Sequence, residues 1–302
     1  MINLTNAQNS ADIIGMYSLG ASSPEGGSHL LVLENNNYAI AYFGGIQTGK
    51  WKITQENTYK FTPDNKESRF ELFGRHNKVL KNETKIFFSG FEDDQTFIQL
   101  RTTKEDEYIM QQVFNTDANC FSFPYVHTFK TIANSISLLF KRYQEEASPI
   151  FSFKNPEGYN DFVANFIQVD RYDSQPFFTV FKDDKLYFND HKFAQRKPLD
   201  ENHEDIEFIK NIMDKELHKN TIYLNPFYNT FKEDIHEYHI FNEQKNAFID
   251  KEYYVEDEEY SNTDDSFESM SIIYAYKLLK EFTKEPVEYK INKSSLFQAN
   301  CD

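Results

Sequence analysis

Apolar and polar positions alternate with period two through much of the first third of the chain. Trp51 and Ile53 stand against Lys50, Lys52 and Thr54, Tyr59 and Phe61 against Lys60 and Thr62, and Phe70 and Leu72 against Glu71. Such alternation sends one set of side chains into a core and the other into water. It predicts short strands at 28–34, 37–43, 48–54, 58–62, 68–73, 84–89 and 95–101. Between them lie Asn35-Asn36-Asn37, Gly44-Gly45, Pro63-Asp64-Asn65 and Glu92-Asp93-Asp94. Asn and Gly tolerate the positive φ of tight hairpin turns, so these read as turns for a mechanical reason. Seven meandering strands at this spacing predict an antiparallel barrel or a strongly curled sheet.

The pattern then changes. The stretch 130–144 holds Ile132, Ile136, Leu138, Leu139 and Phe140 and fits a strand or a helix equally well. Residues 176–189 read as a hairpin turning at Asp183-Asp184. Over 202–218, Ile206, Ile209, Ile212, Met213 and Leu217 recur at helical spacing, with Asp200 or Asn202 as a cap. A second helix is predicted over 268–283, where Ile272, Ala275, Tyr276, Leu279 and Phe282 share one side and Pro286 follows. Further strands are expected at 221–224, 235–241 and 287–291. The expected fold class is therefore α+β: an antiparallel β-meander, barrel or curled sheet, followed by an α+β domain.

Glycine placement and charge put the boundary near residue 115. Nine of the ten glycines fall at or before Gly90. Residues 1–115 carry a net charge of −3 and residues 116–302 a net of −13. We accordingly expect a barrel-like domain over 1–115 and an acidic α+β domain over 116–302.

The run from Leu30 to Thr54 also resembles the repeated pattern of calycin or lipocalin-like modules. A strand ends in a turn, an aromatic-bearing strand follows, and Gly-x-Trp opens the next; the residues are Leu31, Leu33, Asn36, Tyr38, Gly49 and Trp51. The resemblance covers about a third of the chain, and two predicted strands precede its Gly-x-Trp, which in such modules stands near the start of the barrel. It implies a barrel that holds a small apolar ligand or serves as an extracytoplasmic sensor. If the meander closes, Tyr38, Tyr42 and Trp51 are the candidate ligand-binding residues.

Charge narrows the functional classes. Acids outnumber bases 48 to 32, for a net of −16. Phosphate backbones need many Lys and Arg, so no nucleic-acid partner is expected, and the same sign disfavours adsorption to anionic membrane. No apolar run approaches the roughly 20 residues of a membrane span. The aromatic fraction of 17% is ample for a buried core. The two cysteines, Cys120 and Cys301, are too few for a disulfide scaffold. The penultimate Cys301 is expected to fray, and a Cys120–Cys301 bridge requires an oxidising compartment. The polar start MINLTNAQNSADII has neither a basic segment nor a long apolar one, so a cytoplasmic location is expected, with an exported chain lacking its signal as the alternative.

The strongest compositional anomaly lies at 250–268, where nine acids face Lys251 alone. One reading is a solvated, mobile acidic loop. The other is an acidic–aromatic docking surface for a basic protein, formed by Tyr253, Tyr254, Glu256, Asp257, Glu258, Glu259, Tyr260, Asp264 and Asp265. Tyrosine is a low-entropy anchor, and carboxylates steer association. Nucleophile elbows and dinucleotide fingerprints are absent, and Gly44-Gly45-Ile46-Gln47-Thr48-Gly49-Lys50 lacks the spacing of a phosphate loop. His236 and His239 would share a helical face and could chelate a divalent metal, but on a strand they point apart. The first expectation is thus a non-enzymatic protein-binding module of inhibitor or immunity type that needs no cofactor. The alternatives are an exported envelope or small-ligand-binding protein and a metal-dependent hydrolase. The sequence leaves the oligomeric state open.

Overall fold

The computed structural model describes residues 10–20, 27–42, 45–55, 57–64, 68–92, 95–102, 107–116, 118–141, 148–167, 175–189, 191–199, 207, 210, 220–227, 230–231, 235–252 and 272–301. The chain forms two compact units, one from residues 1–67 and 169–218, the other from 68–168 and 219–302. The two units thus alternate along the chain: residues 68–168 of the second interrupt the first, residues 219–302 follow it, and residues 115 and 116 both lie within the second.

The first unit is a closed antiparallel barrel of eight strands: β1 (Gly15–Gly20), β2 (Ser28–Val32), β3 (Asn37–Tyr42), β4 (Gly45–Gln55), β5 (Thr58–Pro63), β14 (Phe177–Lys182), β15 (Lys185–Tyr187) and β16 (Phe193–Lys197). Strand β14 pairs with β5 and β16 with β1, so the three strands after the interruption close the five before it. Asn35 and Asn36 (φ 56° and 62°) turn the chain between β2 and β3, and Asp183 and Asp184 (φ 52° and 59°) turn it between β14 and β15, as their residue types predict. The interior is filled rather than hollow. Tyr17, Tyr38, Trp51, Tyr59 and Phe61 are all buried in one cluster with Leu30 and Leu186. Gly49 pairs with Tyr38, and a Cβ there would lie 2.4 Å from the Tyr38 ring and 2.4 Å from the Thr62 carbonyl. Only glycine leaves room for that ring, which gives the Gly-x-Trp spacing a packing reason. The Trp51 indole Nε1 donates to the Leu33 carbonyl at 3.1 Å.

The second unit contains the remaining strands: β6 (Phe70–Arg75), β7 (Thr84–Ser89), β8 (Thr96–Arg101), β9 (Ile109–Gln112), β10 (Val126–Phe129), β11 (Ser135–Phe140), β12 (Ile150–Lys154), β13 (Asp161–Phe166), β17 (Thr221–Asn225), β18 (Thr230–Phe231), β19 (His239–Asn242), β20 (Ala247–Asp250), β21 (Ile272–Leu278), β22 (Phe282–Glu285) and β23 (Lys290–Asn292). Nine of them form one sheet, β10-β7-β13-β6-β21-β17-β18 with β19 and β20 joined beside β21, and six form another, β22-β12-β11-β8-β9-β23. A shared core of Phe70, Phe88 and Phe162 from the first sheet with Ile136, Leu138 and Phe153 from the second packs them as a sandwich.

The expected α+β class is therefore corrected: the described residues are overwhelmingly β. The region predicted as a helix over 268–283 contains strand β21 and the start of β22. Strand β21 is covered on both faces, Ile273 and Ala275 in one cluster and Tyr276 in another. Burial on both sides erases the alternation that marks a strand and leaves an apolar run that mimics helical spacing. Of the helix expected over 202–218, Glu207 and Lys210 are helical and the rest lies outside the described residues. The strand expected at 235–241 divides into a helical turn, Ile235–Tyr238, and β19. The ambiguous 130–144 stretch contains β11.

Cys120 and Cys301 form a disulfide across 181 residues of sequence, so Cys301 is anchored rather than frayed. Its approach is held by backbone bonds from Leu296 to Gln112 and from Phe297 to Val113, and Phe297 stacks on Phe114 at 4.7 Å. No helix among the described residues is long and apolar enough to cross a membrane.

Candidate functional site

The sequence-predicted residues fall in three places. Tyr38 and Trp51 are buried together in the barrel core, whereas Tyr42 is exposed at the end of β3. Burial raises the Tyr38 phenol well above its ordinary value, and the nearby Asp64 charge adds to this. Its hydroxyl is buried without a hydrogen-bond partner among the described residues. His236 is exposed on the helical turn and His239 is buried on β19. Among the described residues no three His, Cys, Asp or Glu side chains gather as a metal site. The acidic–aromatic candidates Tyr253 to Asp265 lie outside the described residues.

The residues that do converge form a cleft in the second unit, of about 630 Å³, that the sequence pattern did not single out as a whole. Strands β6 and β21 supply its floor, where Gly74 pairs with Lys277. The Tyr159 ring lies so close to the Gly74 backbone that a Cβ would approach it to 2.6 Å. His76 packs on the same ring at 4.9 Å between centroids. The opposite wall is aromatic: Phe248 on β20 meets Tyr223 at 5.4 Å, His236 at 5.4 Å and Phe241 at 5.0 Å. Phe241, with Tyr238 and Ile240, is exposed on the same hairpin. Arg75, His76, Glu157, His236, Asn246 and Lys277 form the polar lining. Of the predicted metal pair, only His236 contributes. A concave, aromatic-walled surface with a few polar groups is the usual form of a recognition site.

Behind the cleft lies a buried ionic cluster. Asp161 on β13 is 0% exposed, and its Oδ2 accepts from Arg75 Nε at 2.8 Å and from Asn77 Nδ2 at 3.0 Å. Arg75 Nη2 is also 2.8 Å from that oxygen and Lys85 Nζ 3.5 Å from it, while the Tyr276 hydroxyl donates to Oδ1 at 3.3 Å. The guanidinium further lies 3.8 Å from the Tyr274 ring centroid and donates to the Asn246 carbonyl at 3.4 Å. Burial alone would lower the Arg75 pKa; the Asp161 carboxylate, with Tyr276 and Tyr274, outweighs it and holds arginine above its ordinary value. Tyr276 is pushed well up, by burial first and by Asp161 second. This cluster fixes β6, β7, β13 and β21 against one another, and through Asn246 it fixes the β19–β20 turn that borders the cleft. It stabilises the geometry of the wall.

No family model matches the chain, and neither a curated protein nor a solved structure does.

Proposed function

We propose that the chain is a non-enzymatic protein-binding module acting outside the cytoplasm, with the cleft of its second unit as the recognition site. The observation that carries this reading is the position of the acidic–aromatic tract. Residues 250–268 are bounded in sequence by β20 and β21, the two strands that carry Phe248, Ala275 and Lys277 into the cleft. Carboxylates that fall in sequence between two strands lining an aromatic cleft suit a basic partner that inserts an apolar anchor, the acids accelerating encounter and the rings supplying residence time. The Cys120–Cys301 disulfide supports the exported placement over the cytoplasmic one, because reducing compartments keep thiols free. The closed eight-stranded barrel is compatible with a calycin-like first unit, but its filled interior favours the cleft over the lumen as the binding site.

Capture experiments on the envelope and secreted fractions of the source cells test this. A basic protein should be retained at low salt and released at high salt, since screening shortens the reach of exposed charges. Phe241→Ala, and separately the joint change of Glu256, Asp257, Glu258 and Glu259 to Gln or Asn, should each weaken that retention with the fold intact. Retention unaffected by both would remove the cleft and the tract from the mechanism.

A further inference from the structure

The barrel exterior carries a charge pattern opposite to that of the whole chain. Side chains paired across neighbouring strands share a face. Lys60 pairs with both Lys52 and Phe178, Val180 with Tyr187, Tyr187 with Phe193, and Lys182 with Lys185. The outward side of β4, β5, β14, β15 and β16 thus presents Lys50, Lys52, Lys60, Lys182, Lys185 and Lys197 around Phe178, Val180, Tyr187 and Phe193. Among the described residues no acid occupies an outward position on these five strands, and none of the six lysines is ion-paired. Asp64, Asp183 and Asp184 lie at the ends of these strands, where Asp64 accepts from Thr48 and Asp184 holds Arg196 at 2.6 Å.

Two features mark this face as more than an ordinary wet surface. Phe178 is 55%, Phe193 51% and Val180 43% exposed, in one connected patch beside a groove of about 570 Å³. In addition, Lys52–Lys60 and Lys182–Lys185 stand directly opposite across strands, an unfavourable arrangement for like charges in water. Both features become favourable against a negatively charged, partly apolar surface.

We propose that this barrel face docks on an anionic lipid surface, with the phenyl rings entering the headgroup region and the lysines neutralising lipid phosphates. The residue types decide between lipid and protein. Protein interfaces are depleted in Lys and enriched in Arg, which recognises carboxylates by a fixed fork. Here all six outward cations are Lys, point charges on flexible stems suited to a diffuse, mobile layer of charge. The barrel is closed, so it offers no edge for strand addition and contact is made by side chains alone.

Vesicle co-sedimentation tests the proposal, using phosphatidylglycerol mixed with phosphatidylcholine against phosphatidylcholine alone. The protein should pellet with the mixed vesicles only, and high salt should release it. Each lysine near the surface accounts for about a fivefold factor in partition, so Lys52→Gln, Lys60→Gln and Lys182→Gln combined should reduce it about a hundredfold. Phe178→Ala should reduce it with the salt dependence unchanged. Lys154→Gln with Lys290→Gln, in the second unit, should leave it unaltered. Trp51 emission, reporting the barrel core, checks that each variant is folded. Equal sedimentation with both vesicle types, failure to pellet with either, or a lysine triple variant that still pellets would overturn the proposal. So would salt-sensitive capture by an immobilised poly-glutamate chain that outcompetes the vesicles, which would transfer the face to an acidic protein.

Discussion

Replacing Asp161 by Asn tests whether the buried ionic cluster is a balanced structural clamp. Asp161 is fully buried, and the two cations on it, Arg75 and Lys85, are 6% and 7% exposed. Asn keeps the shape and removes the only carboxylate of the cluster among the described residues. Two cations are then left in a site from which water is excluded, and breaking a buried pair in this way costs about 3–5 kcal/mol. Lys85→Met should behave differently. Its Nζ is 3.5 Å from Oδ2, against 2.8 Å for both Arg75 contacts, so Arg75 is the principal partner and Lys85 the surplus charge. Removing a surplus buried cation while keeping its packing should change stability by less than about 1 kcal/mol, in either direction. The double variant should be less destabilised than Asp161→Asn alone, because one of the two stranded charges is gone. Urea unfolding followed by far-ultraviolet circular dichroism measures all three. An Asp161→Asn midpoint close to that of the parent, or a Lys85→Met cost equal to that of Asp161→Asn, would refute the charge accounting.

Three other perturbations follow from the same geometry. Cys301→Ser opens a closure across 181 residues and should cost up to about 5 kcal/mol through the entropy of the unfolded chain; denaturant midpoints measure it, and two free thiols in the oxidised protein would contradict the bridge itself. Burial raises Tyr17, Tyr38 and Tyr276 above the ordinary phenol value, so above pH of about 10 the unfolded chain loses protons that the folded one keeps. Their stabilising contribution is complete below that pH and declines above it; absorbance at tyrosinate wavelengths should show them ionising only with unfolding, and titration of every tyrosine within an intact fold would contradict this. Gly49→Ala drives a methyl to within 2.4 Å of the Tyr38 ring and the Thr62 carbonyl, and should destabilise the barrel by about 1–3 kcal/mol as seen in Trp51 emission, a parent-like midpoint excluding the close contact.

The sequence was most informative where one face of a strand meets water. The alternation around Trp51 and Tyr59 located β4 and β5 because polar residues marked their outward positions. Turn chemistry did equally well at Asn35-Asn36 and Asp183-Asp184, where the local backbone demands those residue types. It failed at β21, whose two buried faces leave no polar mark. It also had no means of pairing β14 with β5 across the intervening 68–168 segment of the second unit, since nothing local to 176–189 says which strand lies beside it. The cleft was illegible for the same reason: Gly74, Tyr159, His236, Phe248 and Lys277 come from five separate stretches, and only His236 carried a chemical signal by itself. The anchoring of Cys301 likewise depends on Phe114 and Gln112, residues far away along the chain.

Net charge misled for a related reason. A total of −16 describes the field far from the molecule, where all charges are summed. A surface in contact responds to charges within about a Debye length, roughly 8 Å at physiological salt. On that scale the barrel face presents lysines from five consecutive strands of the closed sheet, and the described residues of those strands include no acid. The alternation that located these strands also sorts their charges, because every second residue faces outward. Read that way, Lys50, Lys52, Lys60, Lys182 and Lys185 were legible as one-sided once the strands were assigned, whereas summing the chain averaged them against carboxylates elsewhere. An acidic chain can therefore carry both a carboxylate-rich sequence segment and a locally basic face. The two are separable experimentally, since lysine substitutions on the barrel should abolish vesicle binding and leave capture of a basic protein unchanged, while Phe241→Ala should do the reverse.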